Sequence, residues 1–259
     1  MQSRLANSTA ALLLLSILST ACLPQIRQLL PQPTPTEGTP IPVPVLVDLS
    51  ELFPSTPTFY ATPYSFSIRT EVIATLDIPT GEVIASDLFY GDAMGPLARQ
   101  VPPGDYPVSL SLMNNEGQPW ESVAAARIQF SSDQPTSWEL ALLAGQDPTT
   151  LESGQLFGYA VEPGTGSYSS PAAAAALAAR LEADQAYIYE IIRAGEVHRN
   201  TGSWASIVPD LSTKVNIVFF ASGYGDGAYA SYWGLNLTGD PVCLITDFSL
   251  VHIENMPQQ

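Results

Sequence analysis

Residues Val215–Val251, VNIVFFASGYGDGAYASYWGLNLTGDPVCLITDFSLV, decide the fold. Val215–Phe220 is an apolar run of β-branched and aromatic residues. Ala221–Ala228 is a turn with glycine at 223, 225 and 227, and Tyr229–Leu237 follows it. Thr238-Gly-Asp240 then turns the chain into Pro241–Val251. Runs of this composition between glycine-rich breaks are strands, so the segment predicts three strands joined by two turns. Glycines alternating with Tyr224 and Asp226 mark a place where the backbone takes positive φ or is closely approached.

Working outward, Ile68–Ile78 and Glu82–Phe89 alternate around Pro79-Thr-Gly81, which reads as a hairpin. Val101–Pro107 is a rigid turn before Val108–Met113, and Ser122–Phe130, Thr136–Leu142 and Leu156–Val161 complete the strand pattern. A single helix is predicted from Ser170, as N-cap before Pro171 and an alanine run, to Gly195, as its left-handed stop. Leu177, Leu181, Ile188, Ile191 and Ile192 share its apolar face. The reading is α+β: a mostly antiparallel sheet structure of about nine to ten strands, with one main helix packed on it.

The start of the chain reads differently. Arg4, the apolar stretch Ala10–Leu18 and small residues before Cys22 resemble a bacterial lipoprotein signal over residues 1–22, with Cys22 the lipidated residue. Ser19 departs from that pattern, and simple cleavage of the signal is the alternative. The run is shorter than the roughly 20 residues a membrane span needs. Residues 23–57 are rich in proline and threonine, as in PQPTPTEGTPIPVPV, and read as an extended, disordered spacer. Within it, Ile41–Phe53 carries enough apolar residues to dock as an edge strand. A single globular domain is expected over 58–259, held outside the cytoplasm and tethered to the membrane by lipid.

Composition narrows the function. Apolar residues make up 46% and charged residues 13%, with 25 acids against 9 bases and a net charge of −16. So few cations argue against nucleic acid as a partner. With Cys22 lipidated, Cys243 has no disulfide partner, and its apolar run Val242–Ile245 makes it a small buried hydrophobe. His198 and His252 read as ordinary surface residues. No phosphate-binding loop, Gly-x-Ser-x-Gly elbow or His-Glu-x-x-His helix is present. What remains is carboxylates near turns, namely Glu162, Asp226, Asp240 and Asp247. Asp226 and Asp240 have turn-forming roles available and Asp247 a backbone bond at a strand end, but together the four also suit a hard cation such as calcium, or acid–base work. Tyr224, Tyr229, Tyr232 and Trp233 are candidates for a recognition surface.

Several motifs occur in order: Val101-Pro-Pro-Gly-Asp-Tyr-Pro-Val108, Val123-Ala-Ala-Ala-Arg-Ile128, Trp138-Glu-Leu-Ala-Leu142, Gly158–Gly166, Ser222-Gly-Tyr-Gly-Asp-Gly227, Tyr232-Trp-Gly234 and Thr246-Asp-Phe248. Over about Ile68–Val251 the chain thereby resembles the bacterial domain-of-unknown-function 4241 family. The resemblance implies no activity or cofactor. Against the family's pattern, Glu162 replaces aspartate and Ser167 replaces cysteine, and the lipoprotein-like start is a departure.

Two functions are weighed. The favoured one is a non-catalytic, surface-tethered recognition domain for an unidentified protein or small ligand, needing no cofactor. Its binding residues are Glu162, Thr165, Tyr224, Asp226 and Trp233. The alternative is a carboxylate-dependent, hydrolase-like enzyme using Glu162 and Asp226, assisted by a divalent metal. Carboxylates clustered in a concave pocket would favour the enzyme, and carboxylates dispersed on turns the binding domain; the turns at 162–166 and 223–227 are expected to lie side by side, since each ends an apolar strand.

Overall fold

The computed structural model describes residues 45–46, 48–61, 65–152, 155–162, 164–254 and 256. The signal, Cys22 and the spacer up to residue 44 lie outside these residues. In chain order the strands are β1 (Val45–Leu46), β2 (Thr58–Tyr60), β3 (Phe66–Ile78), β4 (Ile84–Asp87), β5 (Gly104–Asn115), β6 (Ser122–Gln129) and β7 (Ser137–Leu140). They continue with β8 (Tyr159–Val161), β9 (Thr165–Ser169), β10 (Ala205–Ile207), β11 (Ile217–Ala221), β12 (Gly227–Tyr229), β13 (Ser231–Leu235), β14 (Pro241–Asp247) and β15 (His252–Ile253). The α-helices are α1 (Gly91–Met94), α2 (Pro171–Ala183) and α3 (Tyr187–Glu196). The class is α+β and mostly β, as the sequence predicts.

Two antiparallel sheets carry the core. The larger has seven strands in the order β2-β3-β5-β6-β14-β13-β7, and the smaller has four, β10-β11-β9-β4. A two-stranded ribbon, β8 with β12, accompanies them. Strand alternation assigns the faces. In β11, Val218 and Phe220 join Leu110, Ile128, Trp233 and Leu244 of the larger sheet in one buried cluster. The intervening Ile217 and Phe219 pack with Ala173, Leu177 and Ile191 of the helices in another.

Polar groups also join the sheets. Tyr168 Oη lies 2.9 Å from both Ala126 O and Thr246 Oγ1, and accepts from Thr246 N at 3.1 Å. Asn216 accepts from Asp77 N at 2.9 Å and donates to Thr75 O and Ser206 Oγ, each at 2.8 Å. A buried hydroxyl or amide without such partners costs on the order of 1–3 kcal/mol.

The outer face of the larger sheet is covered by the segment 46–53. Leu46, Leu49, Leu52 and Phe53 are buried against Ile68, Ala125, Tyr232, Cys243 and Ile245. Asp48 caps the short 3-10 turn Leu49–Leu52, β1 pairs in parallel with β15, and Arg127 lies over the Phe53 ring at 4.4 Å. The packed chain thus starts upstream of residue 58. The segment docks as its apolar residues allow, through a two-residue pairing and a 3-10 turn rather than along a long sheet edge.

Three local expectations change. Pro79-Thr-Gly81 does not close a hairpin, because β3 pairs with β2 and β5 while β4 pairs with β9. Instead, the turn passes the chain from one sheet to the other. Gly81, at φ +78°, sits so close to Val101 that a Cβ would lie 2.1 Å from its carbonyl oxygen. The helix divides at Asp184, which turns extended and accepts from Ala186 N at 3.1 Å. Gly195 is not the stop: it lies within α3, packed against Phe219, and the helix ends at Glu196. Ser170 and Pro171 do start α2, with Ser170 accepting from Ala173 N.

Candidate functional site

Two connections meet at one edge. The first, residues 162–164, joins β8 to β9, and the second, residues 222–226, joins β11 to β12. Their strands pair crosswise: Val161 lies opposite Gly227, and Thr165 lies opposite Ala221. The turns are therefore brought together by two pairings at once, and not by the single β8–β11 adjacency that the strand order in sequence suggests. Ser222 N donates to Gly164 O at 3.0 Å. At Gly164, φ +72°, a Cβ would stand 3.1 Å from Gly225 Cα, so the two backbones are in contact where only glycine fits comfortably.

The second turn is braced from within. Gly225 N donates to Ser222 O at 2.8 Å, and Ser222 Oγ donates to Gly225 O at 2.9 Å. Tyr229 Oη also reaches Gly225 O at 2.8 Å. Tyr229, one of the candidate recognition aromatics, is therefore a buried strut. The turn projects Tyr224, which is 77% exposed, and Asp226, also exposed, while Glu162 is exposed on the facing turn. Thr165 opens β9 beside them, half-buried, and its carbonyl accepts from Leu88 N at 3.1 Å.

Trp233 does not belong to this group. It is 2% exposed between the sheets, its ring 5.8 Å from Phe130. In a strand buried on both faces every position is internal, and β13 is buried throughout. Tyr232 lies in the cluster under the N-terminal segment. Asp240 serves its own hairpin, its backbone N bonding Asn236 Oδ1 and its carboxylate accepting from Thr238 Oγ1. Asp247 is buried at the end of β14 and accepts from Ser249 N at 2.9 Å. Burial pushes its pKa up to about 6, with that amide bond opposing.

One carboxylate at the edge goes unnoticed in the sequence reading. Asp87 ends β4 opposite Gly166 and is 1% exposed. Its Oδ1 accepts from Phe89 N and its Oδ2 from Glu162 N, both at 2.8 Å. Burial raises its pKa, the two amide bonds oppose, and the charges of Glu162 and Asp226 add to the rise. The signal was present as a lone acid inside the apolar stretch Val83–Phe89, with no base nearby in sequence.

Cys243 is buried, and desolvation pushes its thiol up to about 11 despite nearby Arg127. His198 is not a plain surface residue: it stacks on Trp204 at 3.8 Å. Among the described residues, no group of three or more His, Cys, Asp or Glu is arranged to hold a metal ion, and no helix is long and apolar enough to cross a membrane. Elsewhere, an open groove of about 630 Å³ runs between the helices and residues 208–211, lined by Arg180, Tyr187, Glu190 and Leu211 among others.

Residues 76–246 match the family model described as a protein of unknown function, DUF4241. The match runs from within β3 to within β14 and so contains both turns and Asp87. It excludes the N-terminal segment that covers the larger sheet. No curated protein and no solved structure matches the chain.

Proposed function

We propose that this chain, which belongs to the DUF4241 family, is a non-catalytic recognition domain whose ligand-binding edge is the paired turns at 162–166 and 222–227. The single observation that carries the reading is the contact between the turns. Two backbones held rigidly by crosswise strand pairing present Glu162, Tyr224 and Asp226 outward together. Loops fixed on a sheet scaffold are favoured places for binding. The two carboxylates stand on exposed turns and not in a closed cavity, an arrangement that suits contact better than acid–base catalysis.

The ligand chemistry follows from charge. Glu162 and Asp226 take part in none of the ion pairs among the described residues, and the chain carries −16 overall. Such an edge favours a positively charged group on a protein or small ligand, with the Tyr224 ring available to cover it. Calcium is the simplest cation with the same preference for oxygen ligands. In a thermal-shift titration, calcium chloride or tetralysine should raise the melting temperature of the wild type by mass action. Asp226→Asn should leave the unliganded melting temperature nearly unchanged and abolish the rise. An equal rise in the variant, or none in the wild type with either probe, counts against the reading.

The proposal includes placement. Lipid on Cys22 and the proline-rich spacer hold the domain away from a membrane on the extracytoplasmic side, where such a ligand is met. Mass spectrometry of membrane-extracted protein should find a diacylglyceryl adduct on an N-terminal cysteine. A mature form released into the medium and starting at another residue contradicts it.

A further inference from the structure

The outer face of the larger sheet holds a cation, Arg127, that joins none of the ion pairs among the described residues. In β6, Ala126 and Ile128 face the core between the sheets, so Arg127 between them faces outward. In β5, Val108, Leu110 and Leu112 face the same core, so Ser109 and Ser111 stand on the outer face with it. Ser109 lies directly opposite Arg127, and such pairs hold their Cβ atoms roughly 5 Å apart. Ser111 lies opposite Ala125, the residue two before Arg127 on the same face.

The donors of this group are not used up within the protein. Arg127 Nε and Ser111 Oγ are both enclosed and have no hydrogen-bond partner among the described residues. Asp247 lies on the same face, opposite Ala125, but its carboxylate accepts from Ser249 N and forms no ion pair. Cys243, the other group that acts on Arg127, is held neutral by burial, its thiol pushed up to about 11. The guanidinium rests on the Phe53 ring, which accommodates the charge but offers no oxygen to its N–H groups. Burial lowers the pKa of Arg127, as it does for any cation held away from water. A buried donor without an acceptor is costly, and a charged one more so, unless a ligand completes it.

We propose that Arg127, Ser109 and Ser111 form a carboxylate-binding site at the margin of the outer face, with the Phe53 ring as its cover. The donor set selects the ligand. A guanidinium presents paired N–H groups that match the two oxygens of a carboxylate, and the hydroxyls add donors beside it. One cation in a chain of net charge −16 balances one negative charge, which favours a carboxylate over a phosphate dianion. The way in is from the rim. Arg127 is only partly buried, Val72 opposite Ser109 is 66% exposed, and Pro107, two residues before Ser109, is exposed. These apolar neighbours suit a carboxylate carried on a short apolar body. Arg127 Nε and Ser111 Oγ are reached as the Phe53 ring turns aside. The site lies on other strands than the paired turns and stands without the reading given to them.

The test is an NMR titration of the full chain with sodium butyrate, against sodium chloride at matched ionic strength, reading the Arg127 Nε–Hε resonance. Butyrate should move it saturably and chloride should not. In Ser111→Ala the melting temperature should hold, since the hydroxyl has no bond to lose. The apparent Kd for butyrate should rise about tenfold in that variant, as expected for loss of one hydrogen bond to a charged group. Arg127→Gln should leave the Ser111 amide unmoved by butyrate; if that variant does not fold, Arg127→Lys, which keeps the charge and loses the paired N–H groups, should weaken binding as Ser111→Ala does. A resonance that stays flat in the wild type overturns the site, and so does unchanged affinity in Ser111→Ala. Saturation by inorganic phosphate at lower concentration than butyrate overturns the carboxylate assignment. Movement of the Glu162 and Tyr224–Asp226 amides in place of Arg127 would put the carboxylate at the turns and overturn both readings.

Discussion

Asp247 is a buried carboxyl that joins none of the ion pairs among the described residues. Its carboxyl is pushed up to about 6 by desolvation, against an ordinary value of 3.8. The folded state thus holds a proton that the unfolded state has released. The stability this brings is fully present below about pH 4 and is lost as pH rises through about 6. A shift of this size corresponds to on the order of 3 kcal/mol. Asp247→Asn keeps an acceptor for Ser249 N and removes the charge. Urea unfolding at pH 7.5 should show the variant more stable by about 1–3 kcal/mol, with the gain vanishing near pH 3. A variant less stable at both pH values would mean that the charge has a partner role. At this scale Asp226, Tyr224 and Glu162 were legible because turn chemistry puts them at the surface. Trp233 and Asp87 were not, because a single sequence does not say that β13 is buried on both faces or that the acid ending the edge strand β4 is itself buried.

Element by element, composition sometimes misleads for a physical reason. Strand β9, Thr-Gly-Ser-Tyr-Ser, begins inside the turn expected over 162–166, yet it is an internal strand that pairs with both β11 and β4. Its small residues suit a crowded position: Ser167 and Ser169 are buried, and Ser167 Oγ donates to Ser86 O at 3.2 Å. The helix was legible in type and start, but its break depends on one side chain, Asp184, that bonds its own backbone instead of continuing the helix. The N-terminal segment offers the sharper test. Leu49 is fully buried on the outer face of the larger sheet, so Leu49→Ala should cost about 2–5 kcal/mol in denaturant unfolding. Limited proteolysis of the wild type should stop short of Leu46. A neutral Leu49→Ala, with cleavage running through to residue 57, would place this segment in the spacer.

For the molecule as a whole, strand and turn signals predict an antiparallel, β-rich fold with helix packed on it. The partition into two sheets is a matter of long-range pairing, which local pattern does not encode: β3 and β4 are neighbours in sequence and belong to different sheets. The same partition produces the edge proposed to bind ligand, since the ribbon β8–β12 and the pair β9–β11 each supply one side of both turns. The most direct test of that edge is an amide NMR titration of the wild-type domain with tetralysine. The account predicts the largest shift changes at Glu162, Gly164 and Tyr224–Asp226. Changes centred on the groove around Arg180, Tyr187 and Leu211, or an unperturbed spectrum, would contradict it.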